Sequence, residues 1–163
     1  MVGPGNGAAR ALEVVSRIVR EARLEQGDAS ICQAIVRQTA ECMGYRAAAL
    51  GVIDSAGLLK FTVFGEAPNC QEARACREAP TRAPDGSWIS APLAGIGRFI
   101  GTLIGYGHGT GTFDAEDLRI HARLCDSVAV ILEAQMARAN LVETMDRDAV
   151  TGLYNRKHLV KRI

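Results

Sequence analysis

The sequence is poor in aromatic residues, in charge of one sign and in long apolar runs. Its 163 residues include one Trp, three Tyr and four Phe, too few and too scattered for a platform that stacks nucleic-acid bases. Nineteen Lys and Arg stand against eighteen Asp and Glu, so no global field marks a binder of nucleic acid or of a membrane surface. The longest nearly unbroken apolar run, Ala47 to Ile53, is far shorter than a membrane span. Met1 to Ala9 lacks a basic start followed by an apolar core, so no signal peptide is read there. These absences predict a soluble, cytoplasmic chain with neither a nucleic-acid nor a membrane partner.

Paired cysteine chemistry is also missing. Five cysteines is an odd number, and no CxxC pair occurs. Cys32, Cys42 and Cys125 fall at helix-like positions, where free thiols act as small apolar residues. Cys70 and Cys76, with five residues between them, have no nearby His to complete a tetrahedral metal set. The pattern predicts a reducing compartment and no metal. What the chain does have is an aliphatic core, with 48% hydrophobic residues. Its length suits one domain and a short appendage rather than two full-size domains.

After a Gly/Pro/Asn-rich start over residues 1–7, read as mobile, Leu12, Val15, Val19 and Ala22 recur at helical spacing. Asp28 is placed to cap a second helix through Ile31, Ala34, Ile35, Gln38 and Cys42, ending at Gly44. The texture then becomes short and alternating. Ala47–Ile53 and Leu58–Phe64, joined by Asp54-Ser55-Ala56-Gly57, predict one antiparallel hairpin; Trp88–Leu93 and Phe99–Tyr106, joined by residues 94–98, predict another. Gly65 to Gly86, with Pro68, Pro80 and Pro84, reads as a long covering loop.

From Asp114, a plausible cap, a helical pattern runs without Pro or Gly from Ala115 to Val150. It carries one stripe through Leu118, Ala122, Cys125, Ala129, Leu132, Met136 and Ala139. A second runs through Leu124, Val128, Ile131, Val142 and Met145. Two apolar stripes need two partners. The pattern predicts that one packs on the sheet and the other meets the same helix of a second subunit, giving a homodimer through the first and last helices.

Helix, helix, hairpin, covering loop, hairpin and long helix make an α+β fold: an antiparallel sheet with helices on one face and the loop on the other. Ser90-Ala91-Pro92-Leu93, Phe99-Ile100-Gly101-Thr102-Leu103-Ile104 and Phe113-Asp114-Ala115-Glu116-Asp117-Leu118 resemble, in order and spacing, the GAF family of small-molecule sensor domains over residues 8–138. PAS sensors, with strands before helices and without the Pro-Leu and Ile-Gly pairs, rank second. Asp148-Ala149-Val150-Thr151-Gly152-Leu153-Tyr154-Asn155-Arg156 resembles the DxLTGLxNR opening of GGDEF diguanylate cyclases, with Val150 in place of the usual Leu. The resemblance implies that residues 139–150 are a signalling helix and linker, and that 151–163 begin a GGDEF domain. It also implies an entry turn built on Asp148, Thr151, Gly152, Leu153, Asn155 and Arg156. The GTP- and magnesium-binding residues of that family would all lie beyond Ile163, so no catalysis is expected of this chain.

No hydrolytic constellation emerges from His108, His121 and His158. His121, among apolar residues on the long helix, reads as a packed or surface histidine before a haem ligand. Gly105 to Gly111 lacks the Lys-Ser/Thr of a phosphate loop and reads as a flexible turn. If Leu59, Phe61, Val63, Ile89, Ala91 and Leu93 face the helices, alternation puts Thr62, Phe64, Trp88, Ser90, Thr102 and Tyr106 under the covering loop. That mixture suits a small, partly polar ligand of unknown identity; the alternative is a sheet face that binds nothing. The Asn-Lys-Phe-Asp-Glu set of cyclic-nucleotide-binding GAF domains is missing. A bilin chromophore, or a reductase of the free methionine sulfoxide type, would have to use Cys70 or Cys76.

Overall fold

The computed structural model describes residues 4–24, 28–66 and 77–146. Its elements in chain order are α1 (Pro4–Leu24), α2 (Asp28–Met43), β1 (Ala47–Ile53), β2 (Leu59–Phe64), β3 (Thr81–Arg82), β4 (Trp88–Gly95), β5 (Arg98–Tyr106) and α3 (Ala115–Asp146). The strands form one antiparallel sheet in the order β2-β1-β5-β4-β3. Both predicted hairpins and all three predicted helices are present. The chain divides into one unit ending at Val130 and a second beginning at Ile131.

Local chemistry sets the boundaries. Proline is tolerated in the first turn of a helix, and α1 begins at Pro4, so residues 4–7 are helical rather than the mobile start expected. α2 stops at Gly44, whose φ of 73° is open to glycine at little cost. The N–H of Tyr45 then donates back to the carbonyl of Ala40 at 2.9 Å, the pairing of a Schellman motif. Asp54 Oδ1 accepts the N–H groups of Ala56 and Leu58 at 2.9 and 3.0 Å, which closes the first hairpin. α3 opens on a reciprocal cap: Asp114 Oδ1 accepts the Asp117 N–H, and Asp117 Oδ2 accepts that of Asp114, both at 2.9 Å. β3 escaped the sequence reading because it is two residues long, lying in the stretch between Pro80 and Pro84 and paired only with Ile89 and Ser90.

Residues directly opposite in an antiparallel ladder share a face, so the registers assign the two faces. Leu50 lies opposite both Thr62 and Leu103, and Leu103 opposite Ala91. With the buried Ile89 and Leu93 of β4 they form the helix side. Ala49 lies opposite Val63 and Ile104, and Ile104 opposite Ser90. These belong to the other side, where Ala47, Ala49, Ile104 and Tyr106 form a buried cluster with Trp88 packed against it.

Two helical faces differ from expectation. In α1 the buried line is Ala11, Val14 and Ile18, while Leu12 is 69% exposed; the predicted stripe is rotated by one residue. Up to Val130 the two stripes of α3 are one broad face, since Leu124, Cys125, Val128 and Ala129 are all buried. α1 joins α2 through Glu21, which accepts from Arg37 at 2.7 Å and from Gln38 at 2.5 Å.

Candidate functional site

Of the six side chains nominated from alternation, the sheet brings four together. Trp88, Ser90, Thr102 and Tyr106 lie on the face away from the helices, with Trp88 directly opposite Tyr106. Thr62 and Phe64 do not join them. They pair with Leu50 and Ala48 and belong to the helix side. β2 is inverted relative to the prediction, and Phe61 and Val63, at 36% and 39% exposure, take the ligand-side positions. Phe61 reaches across β1: a Cβ on Gly51 would come within 2.7 Å of its ring.

The aliphatic hydroxyls of Ser90 and Thr102 are buried and bonded to each other. Thr102 Oγ1 lies 2.9 Å from Ser90 Oγ and donates to the Ala91 carbonyl at 3.2 Å. With its one hydrogen used there, Thr102 accepts the hydroxyl of Ser90. Residues 67–76 of the expected covering loop, with Cys70 and Cys76, lie outside the described residues, as do Asp148, Thr151, Gly152, Leu153, Asn155 and Arg156 of the GGDEF-like motif.

The helix side holds a polar constellation that sequence reasoning did not assemble. His121, fully buried, places Nε2 at 2.9 Å from the Leu103 carbonyl and Nδ1 at 3.2 Å from the Tyr45 hydroxyl. A carbonyl only accepts, so Nε2 carries the proton and Nδ1 accepts from Tyr45. Its lowered pKa keeps the imidazole neutral, and both nitrogens are satisfied. Burial lowers its pKa to about 4, partly opposed by the bond to Leu103. Burial likewise pushes the Tyr45 phenol well above its usual range, and the nearby Cys125 and Asp117 add to the shift. Gly105 makes room for this ring, since a Cβ there would fall 2.6 Å from it. Phe113 meets the ring edge-on at 5.2 Å. This is a packed histidine, where the sequence reading left packed and surface open; its partner Tyr45, fixed by the Schellman turn, carries no signal in the sequence.

Among the described residues no group of three or more His, Cys, Asp or Glu is placed to hold a metal, and no helix is long and apolar enough to cross a membrane. The described cysteines, Cys32, Cys42 and Cys125, are on helices. Burial raises the Cys42 thiol, the opposite of what a reactive thiolate needs.

The fold is that of a GAF domain. The chain superimposes on the GAF domain of an Acinetobacter phosphoenolpyruvate-protein phosphotransferase with a TM-score of 0.58 at 15% identity, covering 80% of this chain and 97% of that one. Against the second GAF domain of DevS from Mycobacterium smegmatis the TM-score is 0.59 at 21% identity, covering 70% and 99%. Against the free methionine-R-sulfoxide reductase of Neisseria meningitidis it is 0.61 at 20% identity, covering 80% and 93%. No family profile matches the sequence, and no curated protein matches it.

Proposed function

We propose that this chain is a sensory input module, without catalytic activity of its own, that works as a homodimer through α1 and α3. Its signal passes along α3 to a GGDEF domain that makes cyclic di-GMP from GTP with magnesium. The observation that carries the dimer is a groove of about 380 Å³ between α1 and the first half of α3. Ala8, Ala11, Leu12, Val15, Ile120 and Leu124 give it an apolar lining, and Glu116, Arg119 and Arg123 add charge. A second copy's α1 supplies another Leu12 to cover this apolar lining, beside the Arg119–Glu116 pair at 2.7 Å. The GGDEF assignment is supported by the Asp148 to Arg156 motif and by α3 itself. At the normal helical rise its 32 residues extend about 48 Å, a length suited to relaying a change in packing between two subunits.

Sedimentation equilibrium tests the dimer. The wild-type chain is expected to sediment as a dimer, and Leu12→Glu to raise the dissociation constant at least roughly tenfold, the scale of burying one leucine. Leu12 is largely exposed, so the monomer should melt unchanged. A wild-type chain that stays monomeric at the highest attainable concentration refutes the assembly. The output domain is tested by the full reading frame: roughly one further domain length carrying a GG(D/E)EF loop is expected after Ile163. A frame continuing into any other domain removes the cyclase reading.

A dimerisation module that senses nothing is the second reading. The mutual bond between Ser90 and Thr102 favours it, because the face offers few free polar groups. Mass spectrometry of small molecules retained through native purification discriminates the two, since a stoichiometric ligand excludes the second.

A further inference from the structure

A cleft of about 610 Å³ opens at one end of the sheet, and Arg46, Asp85, Ser87, Trp88, His108 and Thr110 stand on its wall. The glycine-rich turn after β5 shapes it. Three backbone N–H groups pin that turn: Gly107 N–H donates to the Ser87 carbonyl at 2.8 Å, Gly109 N–H to Thr112 Oγ1 at 3.2 Å, and Gly111 N–H to the Asp85 carbonyl at 2.6 Å. The pinning uses alternate residues and leaves the N–H groups of His108 and Thr110 out of it.

Charge on the wall is unevenly committed. Asp85 turns into its own loop, where Oδ1 accepts the Ser87 N–H at 3.0 Å and the Ser87 hydroxyl at 2.6 Å. Arg46 is held only by its backbone, whose N–H donates to the Tyr106 carbonyl at 2.9 Å. Its side chain is exposed, and among the described residues it makes no ion pair. On the same wall Trp88, half-buried and packed on the Ala47, Ala49, Ile104 and Tyr106 cluster, offers an indole held in place. A guanidinium fork matches the paired oxygens of a carboxylate or phosphate, exposed backbone N–H groups add to an anion site, and a fixed aromatic ring selects a flat apolar group.

We propose that this cleft binds a small organic oxyanion, a carboxylate or phosphate carried on a flat apolar group, with the oxyanion on Arg46 and the flat group against Trp88. Trp88 and Tyr106 belong both to this cleft and to the sheet face nominated for a sensed ligand. The inference therefore rests on the sensory reading for its consequence, and names the ligand class of that site; the binding itself requires neither the dimer nor an attached domain.

Trp88 is the sole tryptophan, so its emission reports on the cleft directly. Benzoate and phenyl phosphate are the probes. At least one is expected to change the emission saturably, with half-saturation on the order of 1 mM. Benzyl alcohol, the same ring without charge, is expected to act about tenfold more weakly. Arg46→Gln should raise the half-saturation for the anion about tenfold while leaving the melting temperature unchanged, because the side chain makes no ion pair among the described residues. Saturation by one anion and not the other supports the site and identifies the oxyanion. The proposal is overturned if neither anion saturates, if benzyl alcohol matches them, or if Arg46→Gln binds like wild type. Sedimentation of the same samples keeps the two ideas apart: a dimer that ignores both anions overturns this inference alone, and a monomer that binds one supports it while the dimer falls.

Discussion

Gly101→Ala is expected to destabilise the domain by about 3 kcal/mol, the upper part of the range for forcing volume into a packed site. Gly101 is buried in β5, opposite Val52 on β1 and Leu93 on β4. A Cβ at this position would collide with the backbone carbonyl oxygen of Gly51 and would lie 3.1 Å from the Val52 Cα. A methyl group has no rotamer with which to escape, and the obstacle is main chain, so two central strands must separate. For a chain of this size the loss corresponds to a fall of roughly 10 °C in melting temperature. Gly109→Ala is the control, because a Cβ there meets nothing within 4 Å and its φ is ordinary. Thermal melts of both variants decide the point: if Gly101→Ala melts as Gly109→Ala does, the strands do not approach as closely as described.

Gly101 belongs to Phe99-Ile100-Gly101-Thr102-Leu103-Ile104, one of the segments on which the family resemblance was read. Order and spacing were legible there; the reason for the glycine was not, because it lies on β1. The same limit explains the errors. Leu59-Lys60-Phe61-Thr62-Val63-Phe64 has apolar residues at both parities, and alternation assigned the larger set inward. The register does otherwise by pairing Thr62 with Leu50, and an edge strand leaves Phe61 and Val63 half in solvent. In α1 the doublets Ala11-Leu12, Val14-Val15 and Ile18-Val19 draw two apolar lines about 100° apart, and nothing local decides which is buried. The structure buries the first and leaves Leu12 and Val15 on the groove wall. Caps and turns were more legible. Asp114 and the Asp54 to Gly57 cluster act through bonds to neighbours in sequence, so the residues that make those bonds stand next to one another in the chain. Tyr45, Leu103 and His121 are far apart in sequence, and only the fold joins them.

That hydrogen-bonded trio carries the second large effect, a loss of stability between about pH 6.5 and about pH 4. In the unfolded chain the imidazole of His121 takes up its proton near 6.5, whereas in the fold burial delays protonation until about 4. Above 6.5 the residue is neutral in both states and contributes no pH dependence. Within the window the unfolded state holds a proton that the folded state lacks, so stability falls by about 1.4 kcal/mol per pH unit. Below about 4 both states are protonated and the loss levels off near 3 kcal/mol. Asp54, Asp85 and Asp114 are held below the ordinary carboxylate range, chiefly by hydrogen bonds from the Leu58 N–H, the Ser87 hydroxyl and the Asp117 N–H respectively. Their losses therefore come at lower pH. Asp117, raised mainly by burial, acts in the opposite sense near the foot of the window. A difference measurement removes these contributions. His121→Gln keeps a donor for the Leu103 carbonyl and an acceptor for the Tyr45 hydroxyl but cannot titrate. It is expected to be about 1 to 2 kcal/mol less stable than wild type at pH 7.5 and to lack the slope, so that the two proteins converge or cross by pH 4.5. Urea unfolding at intervals across that range measures the gap directly, and two parallel curves would mean that His121 is not held neutral by the fold.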